Sequence, residues 1–427
     1  MKTPCIYTTR GQQHTQGSTQ LSDNIDIDFS QSLQNNYSAD ALRLSSVYEA
    51  IEPAHSTWTL NSRKEREILS HLESMPPTLN LPDYKISVSL GVGNDELRTA
   101  LDALASLPSP EAERILAKPH INPFNGWIPL STTMLMVELR NTFAYAFRQN
   151  TSREHLVDLA LIIFSNTAQT LCDSQQYRSE EWYTSFSGPR LRWEVIGLLF
   201  SSWALGALQN KEHISQYRPR VLAAKFFDIM KSCITFCRAV KAENLLLLYL
   251  LYRTSIVSSI LHGPNSKGSS ISVSLHLTAL IDFLLDIDFW RFHAETVSLA
   301  YSLRLHAMSD SSLQDLHTWK QSERRLFTAI YILDKTAATF SGRLPILASH
   351  YCSTTLPLDI CNTTLLHGKP NQISDFLSLG VDEEGWNTEG KIYSTTPLRA
   401  RGLIAQLREE ILAIALNQRE RNSLDLM

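Results

Sequence analysis

From about residue 110 onward the apolar residues of this chain recur at intervals of three and four, and an all-α fold is the architecture that buries such a pattern. The segments 131–149, 152–173, 190–209, 218–262, 272–289, 293–308, 322–341 and 397–417 read as helices. In 322–341, Leu326, Ile330, Leu333, Ala337 and Phe340 fall on one face, and in 397–417 Leu403, Leu407, Ile411 and Ile414 do the same. Ser322 is an expected N-cap and Gly342 an expected C-terminal stop for the first of these. Gly263-Pro264, Gly268-Ser269-Ser270 and Gly368-Lys369-Pro370 mark loops. No fixed-period repeat is present, which argues against a solenoid and for a multi-helix, bundle-like body.

Ahead of this body the character changes. Residues 1–45 are rich in Gln, Ser, Thr, Asn and Asp, and bury too little apolar surface to offset the entropy of ordering, so a disordered polar tail is expected. Within it, Asp23 to Phe29 (DNIDIDF) alternates acidic and apolar residues, a pattern that disordered activation segments carry but that, in so short a stretch, reads more simply as a solvated tail. Residues 46–106 read as a linker with short helices, broken at Pro76-Pro77 and Pro82. ISVSLGVG at 86–93 alternates like a strand. Its Gly91-Val-Gly93 lacks the third glycine and the Lys-Ser/Thr ending of a phosphate loop.

Composition narrows the function. There are 39 basic and 43 acidic side chains, a net charge of −4. The densest basic spots are Arg63-Lys64 with Arg66, Arg324-Arg325, and Arg399 with Arg401, each short enough to be a solvated helix face rather than a phosphate track. The N-terminal residues carry no apolar signal stretch. The most apolar run, Leu245 to Tyr252 (LLLLYLLY), ends at Arg253 and falls short of the about 20 residues a bilayer requires, so it reads as a buried core helix and no membrane partner is expected.

The six cysteines are scattered at 5, 172, 233, 237, 352 and 361, which fits a reduced compartment. Cys233 and Cys237 lie one helical turn apart among apolar neighbours, with no second pair, and read as buried structural residues rather than half of a zinc site. His293-Ala-Glu295 imitates half of a zinc deaminase motif without the Pro-Cys-x-x-Cys half. Neither a His-Glu-x-x-His motif nor a Gly-x-Ser-x-Gly elbow occurs. Asp282, Asp286 and Asp288 in DFLLDID are the one acidic set on a predicted helix that could bind a metal ion. They lack a second ligand set and read more simply as a solvated face. No catalytic, cofactor-binding or metal-binding residue is assigned.

Three stretches carry more. SGPRLRWEVIGLLFSSWALGAL, 187–208, places Trp193, Ile196, Gly197, Phe200 and Ala204 on one stripe, and its small residues Gly197, Ala204 and Gly206 allow close helix packing. AETVSLAYSLRLH, 294–306, is followed by ERRLFTAIYILDKTAATFSGRLP, 323–345. There Asp334 sits among Ile330, Leu333, Ala337 and Ala338. An ionised carboxylate in such surroundings costs several kcal/mol unless paired, so an arginine partner is expected, from Arg304, Arg325 or Arg343, in a structural role. The third stretch is GWNTEGKIYSTTPLRARGLIAQLREEIL, 385–412.

In order and spacing these stretches resemble the fungal-specific transcription factor domain, also called the middle homology region. Glu323 stands for its acidic residue, Arg324 and Arg325 for its basic pair, Asp334 for its buried aspartate, Gly342-Arg343 for its Gly-Arg and Leu356-Pro357 for its Leu-Pro. Phe327 takes the place of a frequent tryptophan, and Leu344 precedes Pro345 where proline usually follows Gly-Arg directly. LPSPEAERILAKPHINPFNGWIPL, 107–130, resembles the start of the domain, which sets the regulatory domain at 107–420. The resemblance implies a nuclear, non-catalytic regulator of RNA polymerase II transcription, acting as a homodimer or heterodimer with related regulators. Family members contact DNA through an N-terminal zinc module, a six-cysteine cluster or Cys2His2 fingers. Only Cys5 lies before residue 172, so zinc and direct DNA binding are not expected of these residues, and DNA is reached indirectly. An all-α enzyme using helix 282–288, or a helical scaffold protein, is the alternative.

Overall fold

The structure is a computed structural model that describes residues 92–116, 132–147, 153–171, 181–209, 219–262, 287–308, 318–362 and 380–416, all within one of the chain's two units, residues 60–427. The expectations for 1–45, for most of 46–106, and for Asp282 and Asp286 fall outside them. Among the described residues every regular element is helical, and the β-structure is an isolated bridge between Val381 and Asn387. The fold is all-α, as the periodicity predicts.

The helices are α1 (Asn94–Ala105), α2 (Pro110–Leu116), α3 (Thr132–Thr142), α4 (Arg153–Ala168), α5 (Glu181–Thr184), α6 (Trp193–Gln209), α7 (Pro219–Ala239), α8 (Leu245–His262), α9 (Ile287–Ser302), α10 (Thr318–Ser341) and α11 (Thr395–Leu416). Packed helix begins at Asn94, ahead of residue 107, and Gly93 serves there as the N-cap of α1.

The centre is α6, α7 and α8, each packed on the other two. α1 and α4 cover one side, α9 lies along α8, and α10 touches α8 and α9 and carries α11 on another flank. Trp193, Ile196, Phe200 and Ala204 are all fully buried, as their shared stripe predicts. Trp193 packs on Phe164 and Phe236 with ring centroids 5.3 and 4.8 Å away, joining α6 to α4 and α7. Two glycines set how closely α6 is approached. A Cβ at Gly206 would lie 1.9 Å from the Leu116 carbonyl oxygen, and one at Gly197 would lie 2.6 Å from the Leu250 side chain.

α8 is long and apolar enough to cross a membrane by length and composition, but 83% of it is buried inside the protein, which makes it the core helix expected from its sequence. The apolar run ends at Arg253 but the helix continues to His262, the end expected of the 218–262 segment. The Arg253 side chain is buried and bonds to Ser201 on α6.

Other boundaries differ from expectation for identifiable reasons. The segment 218–262 is two helices. Lys241 adopts a left-handed φ of 56°, its N–H bonds to the Arg238 carbonyl, and the Ala242 N–H returns to Cys237, which closes α7 in a Schellman turn. Asn244 then caps α8, its Oδ1 accepting the Leu247 N–H at 3.0 Å. At the other end of the chain α10 begins at Thr318, so Ser322 is a buried interior residue and not the N-cap. Gly342 does end α10, with a φ of 64°. No break separates 289 from 293, because α9 runs through both. In α11 the stripe of Leu403, Leu407, Ile411 and Ile414 shares one face, but that face is exposed. Leu398, Gly402, Ala405 and Leu412 turn inward instead.

Candidate functional site

Asp334 is fully buried on α10, as expected, but its partner is not an arginine. Its Oδ1 accepts from His293 Nε2 on α9 at 3.1 Å and from the Ile346 N–H at 2.9 Å. Its Oδ2 accepts from Lys335 Nζ at 3.1 Å and from the Leu347 N–H at 3.0 Å. Both oxygens are therefore fully supplied with donors. Burial pushes this carboxyl up, but the His293 hydrogen bond, the Lys335 ammonium and the Ile346 N–H outweigh it and hold it below the usual aspartate range.

Lys335 is itself fully buried. Its ammonium also meets Glu409 Oε2 of α11 at 3.1 Å, donates to the Leu347 carbonyl, and lies 4.7 Å from the centre of the Tyr331 ring. Glu409 accepts further hydrogen bonds from the Tyr331 hydroxyl and the Ser349 N–H. Burial raises the Glu409 carboxyl, yet the Ser349 N–H, Tyr331 and Lys335 bring it below the ordinary glutamate range. One cation and two carboxylates thus fasten α9, α10, the 346–349 turn and α11 together.

The three arginines considered as partners go elsewhere. Arg325 is nine residues before Asp334, two and a half helical turns, and so leaves the opposite face of α10. It donates to Asn362 Oδ1 at 2.7 Å and to the Ile360 carbonyl at 3.1 Å, and burial lowers its pKa to about 10. Arg343 stacks over Trp290 at 4.9 Å. Arg304 occupies a left-handed turn after α9.

Arg325 belongs to a second buried polar cluster. Asp359, fully buried, accepts from the Thr395 hydroxyl at 3.1 Å and the Thr396 hydroxyl at 2.8 Å at the start of α11, and from Asn387. Arg399 donates to the Pro357 and Glu384 carbonyls and lies 4.6 Å over the Trp386 ring. Arg325 and Pro357, read from the sequence, are thus brought into one cluster with residues of the 385–412 stretch.

A third cluster lies at the centre. Arg192 donates to the Asn166, Gln169 and Thr167 carbonyls at the end of α4, at 2.6, 2.9 and 2.8 Å. It pairs with the fully buried Glu194 at 3.1 Å, and Glu194 accepts from Asn244 at 2.7 Å. The relay runs from the C-terminus of α4 to the cap of α8. Sequence reasoning singled out none of its three polar members. The one signal was the position of Arg192-Trp-Glu194 directly before an apolar helix.

Cys233 and Cys237 are both fully buried. Burial first, and then the Glu194 carboxylate, push both thiols up, which suits structural cysteines. Asp288 stands near Arg291 on α9 at 4.0 Å. Among the described residues no group of three or more His, Cys, Asp or Glu is placed to hold a metal ion.

In chemical terms the Asp334 centre is a lock. A carboxylate whose oxygens are already filled by four donors is poorly suited to take a proton from a substrate. These features define an all-helical domain whose interior charges tie helices to one another. Residues 195–376 match the family model described as the fungal specific transcription factor domain. No curated protein and no solved structure matches the chain.

Proposed function

We propose that the chain is a nuclear, non-catalytic regulator of RNA polymerase II transcription whose helical body is its regulatory domain. The match over residues 195–376 carries this reading. The saturated carboxylate at Asp334 supports its non-catalytic side, because the most conspicuous interior acid has no oxygen left for chemistry. In this reading the domain pairs with a second copy or with a related regulator. It reaches DNA through that partner or through a zinc module of the kind that family members carry.

Fusing the full chain to a foreign DNA-binding domain tests the proposal. A change in transcription from a reporter carrying the matching sites, upward or downward, is the expected result. An unchanged reporter, with the fusion present in the nucleus at the level of a working control, would overturn it.

A further inference from the structure

α11 turns its most apolar side outward. Leu403, Ile404, Leu407, Ile411 and Ile414 are between 43% and 76% exposed, and Ala400 is exposed beside them. The helix cannot roll to hide them, because its other face is fastened. Arg399 is bonded to the Pro357 and Glu384 carbonyls, Arg408 to Thr336 at 2.8 Å, and Glu409 to Lys335, Tyr331 and Ser349. Gly402 lies against Leu356 and Thr328 so closely that a Cβ there would stand 2.7 Å from Leu356.

The outward residues have the spacing of a two-stranded seam. Ala400, Ile404, Leu407, Ile411 and Ile414 follow one another at intervals of four, three, four and three, which is the a/d repeat. Isoleucine fills both a positions, 404 and 411, and Ala400, Leu407 and Ile414 the d positions; isoleucine at a around the central leucine at d is the combination that favours two strands. Charge favours the parallel arrangement. In an antiparallel pair the flanking Arg408 would face its own copy, and so would Glu410. In a parallel pair Arg408 faces Leu403 and Glu410 faces Ala415, so no like charges oppose. The helix is already formed and held by the domain, so pairing bears none of the nucleation cost that defeats short isolated helices.

We infer that this face is the contact with a second copy of the chain, the two α11 helices packing in parallel with Ile404, Leu407, Ile411 and Ile414 each against its counterpart. The inference deepens the reading of the chain as a regulator that pairs and rests on it for its biological sense. The seam is tested by mass and the regulatory role by the reporter, so either can fail alone.

The full chain is sedimented across the micromolar range, where a short seam between preformed helices is expected to associate. The expected outcome is a species of twice 48.3 kDa, reduced to one chain by Leu407→Glu combined with Ile411→Glu, with the helical circular dichroism unchanged. Ile414→Cys is expected to yield a disulfide-linked dimer on mild oxidation that the parent chain does not give, because a d position brings identical residues together. A monomeric parent at tens of micromolar would overturn the proposal. So would a dimer that survives the double substitution, or Ile414→Cys chains that dimerise without cross-linking. Loss of helical signal in the double variant would overturn it too, since the stripe would then be part of the chain's own packing.

Discussion

At the scale of single residues, Lys335 is the group whose removal should be felt most. Its ammonium is the cation shared by Asp334 and Glu409, and all its contacts are made out of solvent's reach. Lys335→Met keeps most of the stem's volume and leaves two carboxylates facing each other without a cation. Breaking a buried pair by removing one partner costs about 3–5 kcal/mol, to be read from urea unfolding. Arg343→Ala, which removes a cation stacked on Trp290 at a mostly exposed position, should cost about 0.5–1 kcal/mol. Equal midpoints for the two variants would show that the lock bears no weight. The pH dependence has a definite sign. Asp334 and Glu409 are held below their ordinary values in the folded chain, so the stability they supply is fully present above the unfolded carboxyl range near pH 4 and is lost as pH falls through the lower folded values. Thermal melting should therefore drop steeply below about pH 4, and Lys335→Met should flatten that drop. Asp334 itself was legible, because one acid in an apolar helical run demands a partner. Which partner was not legible. Lys335 is next in sequence and points away along the helix, so only its long stem, curling back, reaches the carboxylate. Glu409 and His293 come from other helices, and no spacing rule connects them to α10.

Whole helices were easier to read than their limits or their facing. Apolar periodicity located α4, α6, α10 and α11 to within about five residues, and found the start of α3 but overran its end at Thr142. It missed the break between α7 and α8 because the left-handed position is filled by Lys241 instead of the glycine that usually announces such a turn. It also gave the direction of α11 no sign. The inward face of that helix pairs Leu398 and Leu412 with Thr395, Arg399, Gly402 and Ala405, small or charged residues that serve close approach and hydrogen bonds, so the more apolar face is the outer one. The small residues of α6, in contrast, were readable as packing positions, and they give a prediction at this scale. In Gly206→Ala the new methyl meets the backbone carbonyl of Leu116, which has no rotamer to escape into. Forcing α2 away from α6 is expected to cost about 1–3 kcal/mol or more. Gly197→Ala meets the flexible end of Leu250 and should cost less. Urea midpoints for the pair provide the comparison, and a milder effect at Gly206 would contradict the close approach.

For the molecule as a whole, stability is expected to be graded from the centre outward. α6, α7 and α8 pack on one another, and the Arg192–Glu194–Asn244 relay ties their ends to α4. Amides of α8 should exchange with deuterium only through global unfolding, whereas those of α3, with Met134 and Val137 in solvent, should exchange through smaller openings. Equal protection of α3 and α8 would show that the chain opens as one unit. The placement of α8 also bears on how the protein is made. As the ribosome delivers the chain, the Leu245–Tyr252 stretch emerges with α6 and α7 already available, but α9 and α10, which cover its other side, are still to be synthesised. For that interval a segment with the composition of a membrane anchor is half uncovered on a nascent polypeptide, and the cell's chaperones, which bind such greasy stretches, have their natural point of engagement there.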